Sequence, residues 1–500
     1  MNHDFISPVH FLMNSTAPLR QAFGRFFLAL GVGLALLAAP GCGGRPGTAD
    51  PAKEKEAGKP SQPLTVVVVD DAELGKAIEA EWRSRTEGEV KIRQATTAEV
   101  TGTAPLPGDV IVFPTGLLGE LVEGEQLLPL PAEVTQDEAL NLRDIYPHIR
   151  LHEITWGGKT YALPLGSPQL VLAYRADIFE KLGITPPATW DEYQQVVTRL
   201  GKREELGELA PSADQPWRAT LEPLGEGFAG QLLLARAAAY AAHKEQLSPL
   251  FDLDKLRPLV DQPPYVRALD ELAAAAAGQP AEGTPQSAWR EMLAGHCGMA
   301  LCWPVPDLRA SAEGNKIRIG FAELPGSPAV YSQSESKWQQ RGSDEDPRVP
   351  LLGMAGRLAG VAATAENEVG AQALVAWLAG PEVGGHLATR SESTTVFRAS
   401  QESLAGKFVL PADAAIGGQY ALAVHAGQFR PQWSPGVRLP GREEYLVALD
   451  KAVQSKLKGE TESAPALAAA AKKWEEVTAR RGVKEQKRAL ENSLGLQGPE

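Results

Sequence analysis

Short apolar runs alternate along the chain with longer stretches in which apolar residues recur every three to four positions. The run at 64–69 is almost wholly apolar, which is typical of a strand buried in a parallel sheet. The next segment, 72–85, has the apolar spacing of an amphipathic helix, and further strands are predicted at 90–92 and 109–113. This order of strand, helix and strand predicts a doubly wound α/β lobe.

The same kind of pattern continues through the rest of the chain. Apolar runs at 170–174, 297–302 and 351–361 predict further strands. A predicted helical region runs from 231 to 277, and Gly278 ends it. The remaining assignments are a polar surface insertion at 331–349, two helices at 443–457 and 466–474, and a frayed tail from about 482.

The segment 161–197 holds the most informative succession of elements. It contains a strand ending at Pro164, a polar loop at 166–169, a second strand, a helix stopped by Gly183, and a helix capped by Thr189. This succession resembles that of the family 1 extracellular solute-binding proteins, the sugar-binding receptors of ABC importers. Individually weaker motifs similar to those of the family follow in the family's order over most of the chain. In that family, this segment is where the chain first crosses between two lobes that close on a ligand.

The resemblance implies an α/β fold with two doubly wound α/β lobes joined by crossing strands (periplasmic binding protein-like, type II), and a ligand cleft between the lobes. It implies an extracytoplasmic receptor that captures a small polar solute, foremost a carbohydrate, and delivers it to the transmembrane subunits of an ABC permease. We expect a monomeric binding protein without a cofactor, and not an enzyme. The expected boundaries are lobe I at 64–166 and 357–405, lobe II at 167–356 and 406–481, and a C-terminal tail at 482–500.

The bulk composition agrees with two lobes and narrows the class of partner. A chain of 500 residues is too long for one ordinary core and suits two lobes with appendages. Its 49 basic and 62 acidic residues give a net charge of −13. Without a basic stripe to offset the repulsion from phosphates, this charge argues against nucleic-acid binding.

The N-terminus has the pattern of a signal segment and not of a folded domain. Arg20 and Arg25 precede an apolar run at 26–39, which is short for a membrane span, and small residues then lead to Cys42. This resembles a bacterial lipoprotein signal peptide at 1–42, with Cys42 as the lipidated residue of a membrane-anchored, periplasmic protein. An ordinary secretory signal is the alternative. The polar segment 43–63 is predicted to be a flexible tether.

Cys297 and Cys302 are the other two cysteines. Five residues apart on a predicted strand, they would lie roughly 16 Å from each other, which is too far for a disulfide unless the chain turns between them. We interpret both as small buried apolar residues. A strained disulfide or a metal pair is the alternative.

A carbohydrate receptor needs aromatic faces for the apolar side of a sugar ring and planar polar groups for its hydroxyls. Both are expected on loops at the carboxyl ends of strands, where open α/β sheets leave a crevice. Trp303, which follows the strand at 297–302, is the leading candidate for stacking on the ligand, with core packing near the hinge as the alternative. The candidate ligand-binding residues are Asp70, Asp71, Phe113, Thr115, Gly116, Ser167, Gln169, Phe228, Gln231, Trp303 and Arg357.

Some of these candidates have a second interpretation. Asp70 could cap the helix that begins near residue 72, and Thr115 could cap the next helix. Phe228 and Gln231 could be packing positions at the start of a helix. Arg175 stands where the family usually has Asn, which leaves room for a hinge and a ligand unlike those of common sugar receptors.

Resemblances to enzyme and metal sites are weaker. The run at 158–160 resembles the end of a phosphate-binding loop, but Glu153 stands where that loop needs its first Gly. His148 and His152 have the spacing of two metal ligands on one helix face, but no third ligand is identifiable. We interpret them as surface histidines and predict no metal site. No G-x-S-x-G motif occurs, nor the adjacent tyrosine pair of iron-binding relatives.

Two alternative functions stay open at this point. One is an orphan sensor or scaffold of the same fold that binds without transport. The other is a hydrolase or metal-dependent enzyme built on the same fold.

Overall fold

The computed structural model describes residues 63–86, 88–102, 104–306, 317–409 and 414–496. The predicted signal peptide, Cys42 and almost all of the predicted tether lie outside these residues. Within the described part of the chain, no helix is long and apolar enough to cross a membrane.

Helices and strands alternate through the described chain. The helices are α1 (Ala72–Arg85), α2 (Thr97–Val100), α3 (Leu118–Glu123), α4 (Ala132–Thr135), α5 (Ala176–Leu182), α6 (Trp190–Leu200), α7 (Arg203–Leu206), α8 (Ala229–Ala241), α9 (Pro263–Ala275), α10 (Pro285–Leu293), α11 (Glu368–Leu378), α12 (Pro381–Ala388), α13 (Ala405–Phe408), α14 (Ala414–Gln428), α15 (Arg442–Leu457), α16 (Ser463–Arg481) and α17 (Val483–Ser493). The strands are β1 (Leu64–Val69), β2 (Val90–Ala95), β3 (Val110–Pro114), β4 (Leu127–Leu128), β5 (Thr155–Trp156), β6 (Lys159–Thr160), β7 (Ala162–Gly166), β8 (Val171–Arg175), β9 (Arg218–Leu221), β10 (Cys297–Cys302), β11 (Ile319–Ala322), β12 (Ala329–Ser332), β13 (Lys337–Gln340), β14 (Leu351–Leu352), β15 (Arg357–Ala362) and β16 (Ser434–Pro435).

Lobe I is built on a mixed sheet with the order β2-β1-β3-β15-β4, and β7 also pairs with β15. β1 is parallel to β2 and β3, whereas β15 is antiparallel to β3, β4 and β7. The apolar runs predicted as buried strands form β1 and β3, and helices α1, α11 and α12 pack around the sheet. Because Arg357 pairs with Pro114, the start of β15 lies beside the carboxyl end of β3.

Lobe II is built on a four-stranded sheet with the order β11-β8-β10-β9. β8 is antiparallel to β10 and β11, and β9 is parallel to β10. Helices α8, α9, α15 and α16 pack together, and α14 packs on β11. Val171 pairs with Cys302, so the first residue of β8 lies beside the end of β10, where Trp303 follows.

Two of the crossings between the lobes lie against each other. The first follows β7, and the second connects β14 to β15. Gly356 in the second crossing has φ 121°, and a Cβ there would lie 2.6 Å from Gly166 O and 2.8 Å from Thr115 Oγ1. A glycine at this position therefore lets the two crossing segments lie against each other.

The helical region predicted at 231–277 contains two helices. Helices α8 and α9 are separated by an irregular segment at 242–262. Pro249 and Pro258 lie in that segment, and each removes a backbone N–H that a continuous helix would need. Helix α9 does end before Gly278, which has φ 72°.

The prediction of a frayed C-terminal tail is wrong, because this segment contains helix α17. Ala489 and Leu490 of this helix are buried, and it packs on α16 as well as on α3 and β5 of lobe I. Arg488 and Asn492 both donate hydrogen bonds of 2.8 Å to Glu123 of α3. The segment is mostly polar in sequence. Its narrow apolar face therefore indicates a packed helix only when the surface that it packs on is known.

Several local predictions are confirmed. Thr189 and Glu192 form a reciprocal capping box at the start of α6, and Gly183 ends α5 with φ 62°. Cys297 and Cys302 are buried and free. The predicted surface insertion forms part of an antiparallel hairpin of β12 and β13, which packs on α8.

Candidate functional site

Lobe I contributes a chain of polar contacts at the carboxyl ends of β1 and β3. Arg357 Nε lies 3.3 Å from Asp71 Oδ2, and the same carboxylate oxygen accepts a hydrogen bond of 2.6 Å from Ser391 Oγ. Arg357 Nη1 donates to Gly356 O at 3.0 Å, and the backbone N–H of Thr115 donates to that carbonyl at 3.2 Å. These contacts join the ends of β1 and β3 to the start of β15.

Lobe II contributes side chains from the first turn of α8 and from the end of β10. Phe228 and Gln231 are three residues apart at the start of α8 and therefore lie on one face of the helix. The ring centroid of Phe228 is 6.1 Å from that of Trp303. Gln231 Oε1 accepts a hydrogen bond of 3.0 Å from Arg442 Nη2, and Gln231 Nε2 donates to Gly227 O at 2.6 Å.

The two sets of residues meet at two points. Trp303 Nε1 donates to the backbone oxygen of Glu392 at 3.4 Å, next to Ser391 of lobe I. Arg442 lies on Gly116, where a Cβ would be 2.7 Å from both Cδ and Cζ of the arginine. A continuous ring of contacts thus joins the lobes. We call it the seam ring; its residues are Asp71, Thr115, Gly116, Phe228, Gln231, Trp303, Arg357, Ser391 and Arg442.

The seam ring is buried and has polar groups that the described protein residues do not satisfy. Trp303 is 1% exposed and Arg357 is 8% exposed. Burial lowers the pKa of Arg357, although the negative charge of Asp71 opposes this shift. Thr115 does not cap a helix as one interpretation predicted: its Oγ1 is buried and has no hydrogen-bond partner among the described residues. Such a ring can offer aromatic faces and several hydrogen-bonding groups to a polar solute.

A second polar cluster lies at the crossings themselves. Buried Glu153 accepts hydrogen bonds from Ser167 Oγ at 2.7 Å and from the backbone N–H of Gly353 at 3.1 Å. Arg438 donates to the backbone oxygen of Glu153 at 2.9 Å and also to that of His152. Burial raises the pKa of Glu153 and lowers that of Arg438 to about 10. This cluster ties both crossings to the C-terminal segment, and it places Ser167 beside the seam ring.

The side chains of Asp70 and Phe113 lie outside the seam ring, although the backbone oxygen of Asp70 accepts a hydrogen bond of 3.2 Å from Arg357 Nη2. Asp70 Oδ2 accepts hydrogen bonds from the N–H (3.0 Å) and the hydroxyl (2.7 Å) of Thr97 at the start of α2. The cap of α1 that was considered for Asp70 is made by Asp71, which accepts a hydrogen bond of 3.0 Å from Leu74 N. Phe113 is 0% exposed within the core of lobe I. A ligand contact by Phe113 stays a prediction.

Gln169 lies at the first crossing and also outside the seam ring. Its Oε1 is buried without a hydrogen-bond partner among the described residues, and its amide packs closely against Gly427. The side chain lines a cavity of about 20 Å³ together with Arg348 and Met354. That volume holds about one water molecule. A ligand contact by Gln169 stays a prediction.

His148 and His152 are not the surface histidines that were predicted. His148 is 6% exposed, and its Nε2 lies 3.0 Å from Arg430 O. The ring of His152 stacks on Trp433 with centroids 4.0 Å apart. The prediction is wrong because a segment distant in sequence covers these histidines. Among the described residues, no group of three or more His, Cys, Asp or Glu side chains could hold a metal ion.

Arg175 has a local structural role. Its Nε and Nη2 donate to Asp177 Oδ1 at 2.9 Å and to Oδ2 at 2.6 Å, and the residue is 3% exposed. It ends β8, four residues beyond Val171, which lies beside the seam ring. At the rise of an extended strand this is about 13 Å. The departure from the family's usual Asn therefore stabilises the join between β8 and α5.

Sequence reasoning missed Ser391 and Arg442. Neither follows a strand, whereas the candidates were sought at the carboxyl ends of strands. One signal was available for Arg442. It is the first residue of α15 after Pro440 and Gly441, and a cation is unfavourable at a helix N-terminus. An arginine at such a position does not serve helix stability.

The sequence matches a family model over residues 68–385, which is more than half of the chain. That model describes bacterial extracellular solute-binding proteins. The chain belongs to this family. Members of the family are binding proteins that act outside the cytoplasm. The matched range of this solute-binding protein contains the seam-ring residues from Asp71 to Arg357, whereas Ser391 and Arg442 lie beyond it.

Solved structures with the same two-lobed fold include three with bound polyols or sugars. An ABC transporter solute-binding protein from Agrobacterium radiobacter K84 in complex with ribitol is 20% identical, with a TM-score of 0.59, and the match covers 82% of this chain and 97% of that one. One from Agrobacterium vitis S4 with bound D-mannitol is 17% identical, with a TM-score of 0.59 and coverage of 84% and 99%. A maltose-bound protein from T. maritima is 17% identical, with a TM-score of 0.57 and coverage of 83% and 99%.

Proposed function

We propose that this solute-binding protein is the receptor of an ABC importer and that it captures a small polyhydroxylated solute, a carbohydrate or polyol, by lobe closure. The observation that carries the proposal is the seam ring, which brings aromatic, amide, hydroxyl and charged groups from both lobes to one seam. The ribitol, mannitol and maltose in the three related structures support this choice of ligand class.

Five residues of the seam ring contact the solute in this proposal. Trp303 and Phe228 present apolar faces to the C–H side of the solute, and Gln231, Thr115 and Asp71 bind its hydroxyls. The ligand contacts both lobes at once only when the lobes are closed, so binding favours the closed state. The proposed rigid units are 64–166 with 357–405 and 167–356 with 406–481, and α17 contacts both.

The proposal includes attachment to the membrane. A lipid on Cys42 and the tether at 43–63 hold the monomer near the transmembrane subunits of its permease. No cofactor and no catalytic step are involved. Changing Cys42 to serine should release the protein from the membrane fraction and abolish labelling by radioactive palmitate. Retention and labelling of this variant would contradict the anchor.

The ligand class can be tested by calorimetry with the purified protein. The panel contains ribitol, mannitol, maltose and common monosaccharides, with a polyamine and a dipeptide as the non-carbohydrate arm. A bound saccharide or polyol at 100 times its Kd should add about 2.7 kcal/mol to the free energy of unfolding. Binding of only the polyamine or the dipeptide would contradict the ligand class. Cellular uptake of the identified ligand should fall when the gene is deleted, and unchanged uptake would instead support an orphan sensor.

A further inference from the structure

One guanidinium group of the seam ring is desolvated but lacks an anionic partner in contact with it. Among the described residues, Arg442 makes one side-chain hydrogen bond, from Nη2 to Gln231 Oε1 at 3.0 Å. The residue keeps some exposed surface, but its Nε is buried and has no hydrogen-bond partner. Burial lowers the pKa of Arg442 to about 10, although the charges of Glu443 and Asp450 oppose the shift.

The two opposing carboxylates do not occupy the donors of Arg442. Both oxygens of Asp450 accept hydrogen bonds from the start of α8, from Gly227 N at 2.7 Å and from Gly230 N at 2.6 Å. Glu443 is exposed at the surface of α15. The N-terminus of that helix adds its own positive partial charge beside Arg442. The backbone N–H of Gly441 at that N-terminus already donates to Glu120 Oε2 at 2.5 Å, and among the described residues no carboxylate oxygen accepts a hydrogen bond from Arg442.

Other buried arginines among the described residues have an ion pair or several carbonyl partners, although the Nε of Arg236, Arg357 and Arg438 also lacks a hydrogen-bond partner. Arg236 pairs with buried Glu222 at 2.6 Å, and Arg357 lies 3.3 Å from Asp71. Arg438 donates to backbone carbonyls at the crossings. A buried cation without such partners is destabilising, so a cation like Arg442 is explained best by a partner that binds at the seam.

We propose that Arg442 determines specificity by binding an anionic group of the solute, so that the preferred ligand is an acidic sugar or polyol and not a neutral one. This inference rests on the proposed function, which places the ligand at the seam ring. Guanidinium nitrogens present parallel N–H donors that match the oxygens of a carboxylate or a phosphate. Gly116 packs against Nε and Cδ of Arg442, whereas Nη1 makes no hydrogen bond among the described residues. The buried Oγ1 of Thr115, the residue before Gly116, has no hydrogen-bond partner among them either.

The test compares acidic and neutral ligands in matched pairs by calorimetry on the purified protein. The pairs are galacturonate with galactose, glucuronate with glucose, ribonate with ribitol, and glucose 6-phosphate with glucose, so that the carboxylate and phosphate arms are separate. A charge-assisted hydrogen bond should make the acidic member of at least one pair bind about tenfold tighter or more. The advantage should shrink as salt is added.

Neutral members that bind as tightly as their acidic partners would overturn the inference and leave the proposed function standing. If no saccharide or polyol of either kind binds, the proposed function falls and the inference falls with it. The two failures are therefore distinguishable in one experiment.

Variants locate the effect at Arg442. Arg442→Gln should weaken binding of the acidic ligand by about tenfold or more and change neutral ligands by less than about threefold. Arg442→Lys keeps the charge but loses the paired donors. Its affinity for the acidic ligand should therefore lie between those of wild type and Arg442→Gln. Lys451→Gln makes the same charge change at an exposed position of α15 and should leave both affinities unchanged.

A readout of folding separates specificity from structural support. The unfolding midpoint of unliganded Arg442→Gln should be unchanged or higher, because a desolvated cation is removed. An unchanged ratio of acidic to neutral affinity in this variant would overturn the proposal, whatever its stability. If that variant does not fold, the same ratio measured for Arg442→Lys decides.

Discussion

Replacing Gly116 with alanine tests whether the ligand is held where the two lobes meet. Gly116 follows β3 in lobe I, and Arg442 begins α15, which packs on α8 of lobe II. The added Cβ would lie 2.7 Å from Cδ and Cζ of Arg442. Because carbon atoms in contact lie about 3.5–4.0 Å apart, the two groups must separate by roughly 1 Å.

This overpacking should destabilise the closed state, in which Gly116 and Arg442 are in contact, by about 1–3 kcal/mol. Since each 1.4 kcal/mol corresponds to a factor of ten, ligand affinity should fall by about 5- to 150-fold. The free energy of unfolding of the unliganded protein should fall less, because an open arrangement separates Gly116 from Arg442.

The assay is a calorimetric titration of Gly116→Ala beside wild type, with urea unfolding of both unliganded proteins. Gly418→Ala is the matched control, since its Cβ would meet nothing within 4 Å on α14, and its affinity should be that of wild type. An unchanged affinity in Gly116→Ala would refute the placement of the ligand at this seam.

Three other perturbations have defined outcomes. Arg357→Gln leaves the carboxylate of Asp71 without its cation and should lower the free energy of unfolding by about 3 kcal/mol, measured in urea; an unchanged value would show that the pair is dispensable. Burial lowers the pKa of His152 from its ordinary 6.5 to about 4. The folded protein therefore favours the neutral imidazole, and this contribution to the free energy of unfolding is fully present above pH 6.5 and is lost as the pH falls toward 4. His152→Gln should therefore lose less stability than wild type across that window, and an equal loss would contradict the assignment. Burial raises the pKa of the thiols of Cys297 and Cys302, so a thiol reagent should modify them only on unfolding, and rapid modification of the native protein would contradict their burial.

Much of the fold could be predicted because its elements depend on local sequence. The apolar run at 64–69 becomes β1, and the cap by Thr189 needs only residues within one turn. Helix α17 was not predictable in this way, because its apolar face is narrow and its partners on α3 lie far away in sequence. The same reason explains the error at His148, which the C-terminal segment covers.

The site was predictable only in part. The proximity of Asp71 and Thr115 could be predicted, because the carboxyl ends of neighbouring strands meet at one edge of a sheet. Arg442 could not be placed, because its contact with Gly116 joins residues more than 300 positions apart in different lobes. The burial of Phe113 could not be predicted for a related reason: the residue lies at the carboxyl end of β3, but its side chain is 0% exposed within the core.

The measurement that tests the account most directly is the distance between the lobes with and without ligand. Spin labels can be placed at Arg83 of α1 and at Glu282 before α10, both exposed, in a chain with Cys42 changed to serine. The buried native thiols should not react. Pulsed electron paramagnetic resonance should show the distance distribution shift to one shorter value when the ligand is saturating, and Arg357→Gln should weaken this shift. A distribution that stays the same while calorimetry shows the ligand bound would contradict capture by lobe closure.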